Sequence, residues 1–586
     1  MLSSNNYPSH MPRRLSFVRL SLAVLLLLLP TAVRPQVSIG GHRAPFDSLT
    51  AVWLATVPEQ VFGQDSTLSI KLAPTCRMMT IGQDTITPAA TGHHRFLNIC
   101  ADSTYSAALT DNQGNTVCGH VMFTFMPVVV LEGDFGYNYT DGTLLIANPG
   151  QGKDDTYHAQ VKWRGGTTNA ANKHKRNYKV KLDGDASLLG LRSDNSWMLD
   201  AGQPDVFRMR NRIAMDLWND IARQPYYHKQ EKKARNGVSG RMVELFLGNE
   251  YRGIYNFSEF IDRKQMKLRK ADETTGLIRG CLYKGFSWED TQMFNPLTTY
   301  DNTKETLRGY EVKYPDLADC DTIDWAPLVR ANNYAISCSD VDFEEHIADY
   351  FDIPVLVDYS LFLGIVNAVD NSGKNMYWAI YDKEAYQRLT PAPWDLDATF
   401  GQRWGGQLVG GKNDFASPSY MTDVDVFVFY RFYMTNAAGF NDQLNERYRE
   451  LSQPGGPLTT DSLIGRVTHY YNMVTRSGAA RREAAKWSGD SDVWGDVIDF
   501  DSEYAYICEW ITNHMDIVNN TTFPLYYNQT YFDELSIAPV VANSHANSRP
   551  VYDLMGRRQT AHGRKPGIYI QQGRKIIVTQ HPAENE

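Results

Sequence analysis

The sequence predicts an α+β chain in three folded parts: an N-terminal all-β sandwich, a mixed core of sheet and helices, and a small C-terminal β tail. Three observations predict it. Runs such as Ala51–Thr56, Thr67–Leu72 and Val121–Met126 alternate or cluster β-forming residues between Gly, Pro, Asn and Asp turns, which is the pattern of short strands. Farther on, Phe207–Ala222 places Met209, Ile213, Leu217 and Ile221 at steps of four, and 422–520 keeps helical spacing. Val551–Arg558 and Lys565–Val578 return to strands and turns. At 586 residues the chain exceeds the roughly 250–300 at which a single core stops growing. The expected boundaries are 37–128 for the sandwich, 129–535 for the core and 536–586 for the tail.

Ahead of the sandwich, Arg13 and Arg14 precede the apolar run Leu20–Leu29 and then Pro30-Thr-Ala. That order of charged, apolar and small residues is that of a secretory leader, expected over 1–36. The run is shorter than the about 20 apolar residues that cross a bilayer, and no later stretch is long enough. The mature chain is therefore expected to be exported, to the periplasm, the cell surface or beyond, with no transmembrane span. Such a compartment permits disulfides. Cys76, Cys100 and Cys118 offer one candidate pair and Cys320 with Cys338 another, while the odd count of seven leaves one over and buried free cysteines are the default expectation. With a formal net charge of −9 and no basic stripe, nothing points to a nucleic-acid partner.

The chemistry gathers between Asp370 and Gly401. Met376–Tyr381 reads as a short buried strand, preceded by the polar loop Asp370-Asn-Ser-Gly-Lys-Asn375 and followed, across a turn, by Pro393-Trp-Asp-Leu-Asp397. A hairpin there brings Asp370 and Asn375 to Asp395 and Asp397. If the backbone is extended, Asp395 and Asp397 point to one face. Oxygen ligands of this kind suit a hard cation such as Mg²⁺, whose remaining positions are filled by phosphate oxygens and water. Upstream, Tyr178–Leu182 alternates, with Lys179 and Lys181 on one face. Asp352–Asn367 reads as an N-capped, Pro-initiated buried helix that delivers the chain to Asp370. Two stretches, 289–307 and the Gly-rich 402–420 with Trp404 and Asn413, are candidate lids.

These residues carry a resemblance. Asp370, Asn375 and Pro-Trp-Asp-Leu-Asp-x-Thr-Phe-Gly401 resemble the C-terminal signature of the CotH (spore coat protein H) kinase family of atypical protein kinases. The match extends upstream in consistent order. It takes in Trp163-Arg-Gly-Gly166, Lys175–Leu182, Trp197–Asp200, Asp205–Asn211 and the hairpin Val243–Glu259. Lys284 and Tyr310–Pro315 also resemble family motifs, without an assigned role. The C-terminal strands are similar to the tail of many exported proteins of the Bacteroidetes phylum, in some of which it is a sorting signal.

The resemblance implies an atypical kinase-like core that transfers the γ-phosphate of ATP to Ser or Thr hydroxyls of an exported protein. It implies Asp370 as the base, Asn375, Asp395 and Asp397 as ligands of Mg²⁺ or Mn²⁺, and a nucleotide-contacting lysine, Lys179 or Lys181, fixed by Glu259 as in other kinases. Arg164 and its glycines stand near the phosphates. The alternative is a secreted binding or adhesion protein in which the same fold is an inactive scaffold; that protein tolerates loss of Asp395 and Asp397.

Overall fold

The computed structural model describes residues 36–403 and 427–522 and the strands Val551–Asp553, Arg558–Gln559, Gly567–Gln571 and Arg574–Val578, apart from Glu273, 292–294, Asp319, Trp494 and Gly495. The leader expected over 1–36, save its last residue, and the lid expected over 402–420, save its first two residues, lie outside those residues. The chain divides into two compact units. The first comprises the residues to Leu131 with Leu145–Thr156 and Phe246–Tyr251; the second comprises the others.

In the first unit two sheets share one apolar core. The strands Gln64–Leu72 and Val37–Ile39 of a four-stranded sheet contribute Ile70, Leu72, Val37 and Ile39. The six-stranded sheet opposite contributes Trp53, Met79, Ile81, Leu109, Val121 and Phe123. Alternation explains the arrangement, because Leu68, Ile70 and Leu72 lie two apart and so fall on one face of their strand. All seven cysteines are free, which is the default expected of them, and neither candidate disulfide forms. Cys118 lies opposite Ala108, and Cys76 opposite Asp111, on the two sides of one intervening strand. Two strand spacings, about 9.5 Å, exceed the span of a disulfide. Cys338 instead accepts a hydrogen bond from Arg431 at 3.3 Å.

The second unit is mixed α+β, as expected. It holds most of five consecutively paired strands, Asp155–Arg164, Asn177–Ser187, Ser193–Asp200, Glu250–Ser258 and Gly240–Leu247. A separate five-stranded sheet runs in the order Thr306–Leu307, Tyr310–Tyr314, Cys281–Gly285, Met376–Ile380, Thr390–Pro393. Helices follow over most of 427–517, from Phe427–Thr435 to Phe500–Ile517. The predicted stripe Met209, Ile213, Leu217 and Ile221 is buried, along helix Arg210–Ile221 and its N-cap. Helix Ile353–Val366 is buried all round except at Pro354, so it has no polar face to define a direction. Its expected side-chain cap is absent. The carboxylate of Asp352 accepts instead from the Tyr226 N–H at 2.9 Å and the Thr390 hydroxyl at 2.9 Å. No helix among the described residues is long and apolar enough to cross a membrane.

One buried ionic network ties distant parts of this unit together. Glu483, fully buried on helix Ala479–Trp487, accepts from Arg208 Nε at 2.7 Å and from the Ile254 N–H at 2.7 Å, and pairs with Lys175 Nζ at 3.1 Å. Gly253, at φ +95°, leaves the carboxylate the space that a Cβ would fill. Removing one member of such a cluster leaves buried charge uncompensated. Glu483→Ala is therefore expected to destabilise the unit by about 3–5 kcal/mol, read as a lower urea midpoint.

Candidate functional site

The loop after helix Ile353–Val366 is built from residues that tolerate left-handed backbone. Asn367, Gly373 and Asn375 have φ of 50°, 98° and 54°. Gly373 packs so closely that a Cβ there would press on the Thr291 carbonyl. The loop thereby holds Asp370, 6% exposed, under three donors. Trp288 Nε1 donates to Oδ1 at 2.7 Å, Asn375 Nδ2 to Oδ2 at 3.0 Å, and Lys374 Nζ lies 2.8 Å from Oδ2. All three fix the carboxylate in one orientation.

Pairing of Met376–Ile380 with Thr390–Pro393 then brings the two halves of the motif together. Met376 lies opposite Pro393, and the Trp394 N–H donates to the Asn375 carbonyl at 3.0 Å. Asn371 Nδ2 donates to the Trp394 carbonyl at 2.6 Å. The chain then turns at Asp395, whose φ of 58° is left-handed. The extended segment ends at Pro393, so Asp395 and Asp397 do not share a face by strand alternation, contrary to the expectation from sequence. They still reach one place, because the turn is held from below. The Leu396 N–H donates to Asn211 Oδ1 at 3.1 Å, Asn211 Nδ2 donates to Asp200 Oδ2 at 2.7 Å, and Gln402 Nε2 donates to the Asp397 carbonyl at 3.0 Å.

Beside this turn lies a cavity of about 1100 Å³ lined by Asp200, Asp370, Asn375, Asp395 and Asp397 with Arg164 and Lys284. Asp395 is exposed to it and Asp397 half-buried, and neither carboxylate has a hydrogen bond or ion pair with another described residue. Crowding by protein and by the carboxylates of Asp395 and Asp200 holds the Asp397 pKa well above the usual carboxylate range. Desolvation by the surrounding cavity walls, then Asp200, raises that of Asp395, against the pull of Lys284 and Arg164. Hard oxygen donors under mutual repulsion fit a divalent cation. The one tight cluster of three metal-ligating side chains among the described residues lies elsewhere, at His174, Asp490 and Asp492. There Asp492 already accepts from the His174 and Lys175 N–H groups, each at 2.8 Å.

The expected pairing of a lysine with Glu259 does not form. Lys179, Met198 and Ser258 lie opposite one another across three strands and so share a face, which turns Glu259, the next residue, to the other side. Glu259 is fully buried and binds Arg235 Nη2 at 3.0 Å, the Ser239 N–H at 3.0 Å and the Arg192 N–H at 3.1 Å. Lys179 Nζ lies 5.4 Å from the centre of the Phe260 ring, and burial with Lys162 and Arg164 lowers its pKa. Neither Lys179 nor the exposed Lys181 lines the cavity. Arg164 does, with its guanidinium carbon 5.3 Å and 5.4 Å from the ring centres of Phe260 and Trp394.

Four residues of this site escape a reading of the sequence. Asp200 and Asn211 stand in segments that carry the family resemblance, but the bond from Asn211 to the Leu396 turn is a contact across 185 residues. Lys374 lies inside the loop, where its i,i+4 spacing from Asp370 is the available signal. Trp288 opens a short helix, Trp288–Thr291, at the start of the stretch expected to be an exposed lid. Its hydrogen bond to Asp370 predicts that Trp288→Phe destabilises the unit by about 1–2 kcal/mol, the worth of one hydrogen bond to a charged group, read as a lower urea midpoint.

A family model described as CotH kinase protein matches residues 161–518, a span that contains every cavity residue named above. No curated protein matches the chain.

Proposed function

Since the chain belongs to the CotH kinase protein family, we propose that it is an exported, cation-dependent protein kinase that phosphorylates Ser or Thr hydroxyls of another exported protein. The observation that carries this reading is the pair Asp395 and Asp397, two carboxylates with no hydrogen bond or ion pair among the described residues, in one cavity with Arg164. Asn375, Asp395 and Asp397 would hold Mg²⁺ or Mn²⁺, with Asp200 beside them. When bound, the cation supplies charge neutralisation on the phosphate oxygens.

The chain's own residues do the rest by positioning. Asp370, oriented by Trp288 and Asn375, takes the acceptor hydroxyl proton. The hydroxyl oxygen bonds to the terminal phosphorus of ATP as the bond to the bridging oxygen breaks, and the electron pair leaves on ADP. Arg164 meets phosphate charge at the rim, anchored over Phe260 and Trp394. Export is part of the proposal and rests on the leader-like residues 1–36 and the tail over 536–586.

Calorimetric titration tests it. ATP is expected to bind in the presence of Mg²⁺ and not in EDTA, and the double variant Asp395→Asn with Asp397→Asn is expected to lose that dependence. Equal binding with and without the cation would refute the metal assignment.

A further inference from the structure

We infer that Lys284, positioned by Glu311, is the lysine that meets the phosphoryl oxygens in this cavity, an inference that rests on the kinase reading of the same site. Lys284 lies on strand Cys281–Gly285, directly opposite Glu311 on one neighbouring strand and Tyr377 on the other. The next residue, Gly285, accepts the Asn375 N–H at 3.0 Å and packs so tightly on Gly373 that a Cβ would strike its carbonyl. Strand register therefore sets the position of Lys284 relative to the loop that carries Asp370 and Asn375. Sites built on strands are more precise than sites on loops.

The ammonium group is held but not satisfied. The Lys284 side chain is 15% exposed and lines the cavity, and Nζ lies 3.8 Å from Glu311 Oε1, an ion pair too long for a hydrogen bond. Its side chain makes no hydrogen bond to another described residue, so among these its three N–H donors have no acceptor. Glu311 is shared, with Oε2 at 2.9 Å from Lys313 Nζ, so the trio Lys284, Glu311 and Lys313 keeps a net positive charge. Asp395 and Arg164, which line the same cavity, both act electrostatically on Lys284. A group that carries both negative charge and cation-binding oxygens suits the space between the Lys284 ammonium and the Asp395 carboxylate. Lys179, beside Phe260 and with no place in the cavity lining, does not offer this geometry.

The test measures binding of ATP and of inorganic tripolyphosphate, each with Mg²⁺, to the full chain and to Lys284→Met, Lys284→Arg, Lys179→Met and Glu311→Gln. Lys284→Met is expected to weaken both ligands about tenfold or more, the scale of lost hydrogen bonds to a charged group, and Lys284→Arg to restore part of it. Lys179→Met is expected to leave both affinities within about twofold. Glu311→Gln should raise KM for ATP with kcat and melting temperature kept, and its effect should vanish in the Lys284→Met background, as coupled residues require. Parent-like binding by a folded Lys284→Met overturns this inference alone. A parent that binds neither ligand overturns the kinase reading as well.

Discussion

Asp370→Ala is expected to lower turnover about a thousandfold while leaving the affinity for ATP nearly unchanged. The carboxylate sits in a loop whose backbone is held by other residues, so removing it need not disturb the fold. Asn371 still bonds the Trp394 carbonyl, and Tyr359 still donates to the Asn371 carbonyl at 2.7 Å. The variant leaves Lys374 without its carboxylate partner, but that lysine is half-buried and reaches solvent. Single-turnover phosphoryl transfer beside equilibrium ATP binding separates the two quantities. A fall in affinity equal to the fall in rate would place Asp370 among the binding groups rather than as the base.

The second large effect concerns stability. Asp397→Asn is expected to raise the melting temperature of the cation-free protein at neutral pH, by about 1 °C if the relief is near 1 kcal/mol, given the size of the unit. The sign follows from linkage. A carboxylate whose folded pKa lies above its unfolded value favours folding most below the unfolded value, near pH 4, and that contribution is lost as pH rises through the folded pKa. At neutral pH, above the unfolded value, this carboxyl group opposes the fold, through burial and with Asp395 and Asp200 as the repelling neighbours. The gain from Asn should therefore shrink as the pH falls toward 4. Adding Mg²⁺ should raise the melting temperature of the parent, because a ligand that binds only the folded state stabilises it, and should do so much less for the variant. Thermal unfolding in EDTA and in Mg²⁺ measures both.

Much of this site is legible in the sequence because it is local. Asp370, Asn375, Asp395 and Asp397 lie within one loop and one hairpin, and a hairpin pairs residues close in sequence. The sandwich is legible for a similar reason, since period-two alternation places Ile70 and Leu72 without reference to anything distant. What fails depends on facing. Pairing Glu259 with Lys179 requires knowing that Ser258, not Glu259, shares the lysine's face. A shared direction for Asp395 and Asp397 assumes an extended backbone, where the chain adopts φ of 58°. Asp352 fits a helix cap by residue type and by the proline that follows, yet its carboxylate meets Tyr226 and Thr390, 126 and 38 residues away. Lys284 and Glu311 are both motif residues, but only the sheet register sets them opposite one another.

The central claim is phosphoryl transfer at the cavity of Asp370, Asp395 and Asp397, and the most direct measurement is transfer of label from γ-labelled ATP with Mg²⁺. Residues 37–586 are incubated with candidate exported acceptors, beside the Asp370→Ala and Asp395→Ala variants. The account predicts label on Ser or Thr side chains with the parent, and none with either variant. Absence of label together with absence of cation-dependent ATP binding would contradict it and favour the scaffold alternative, in which the cavity carboxylates have no catalytic part.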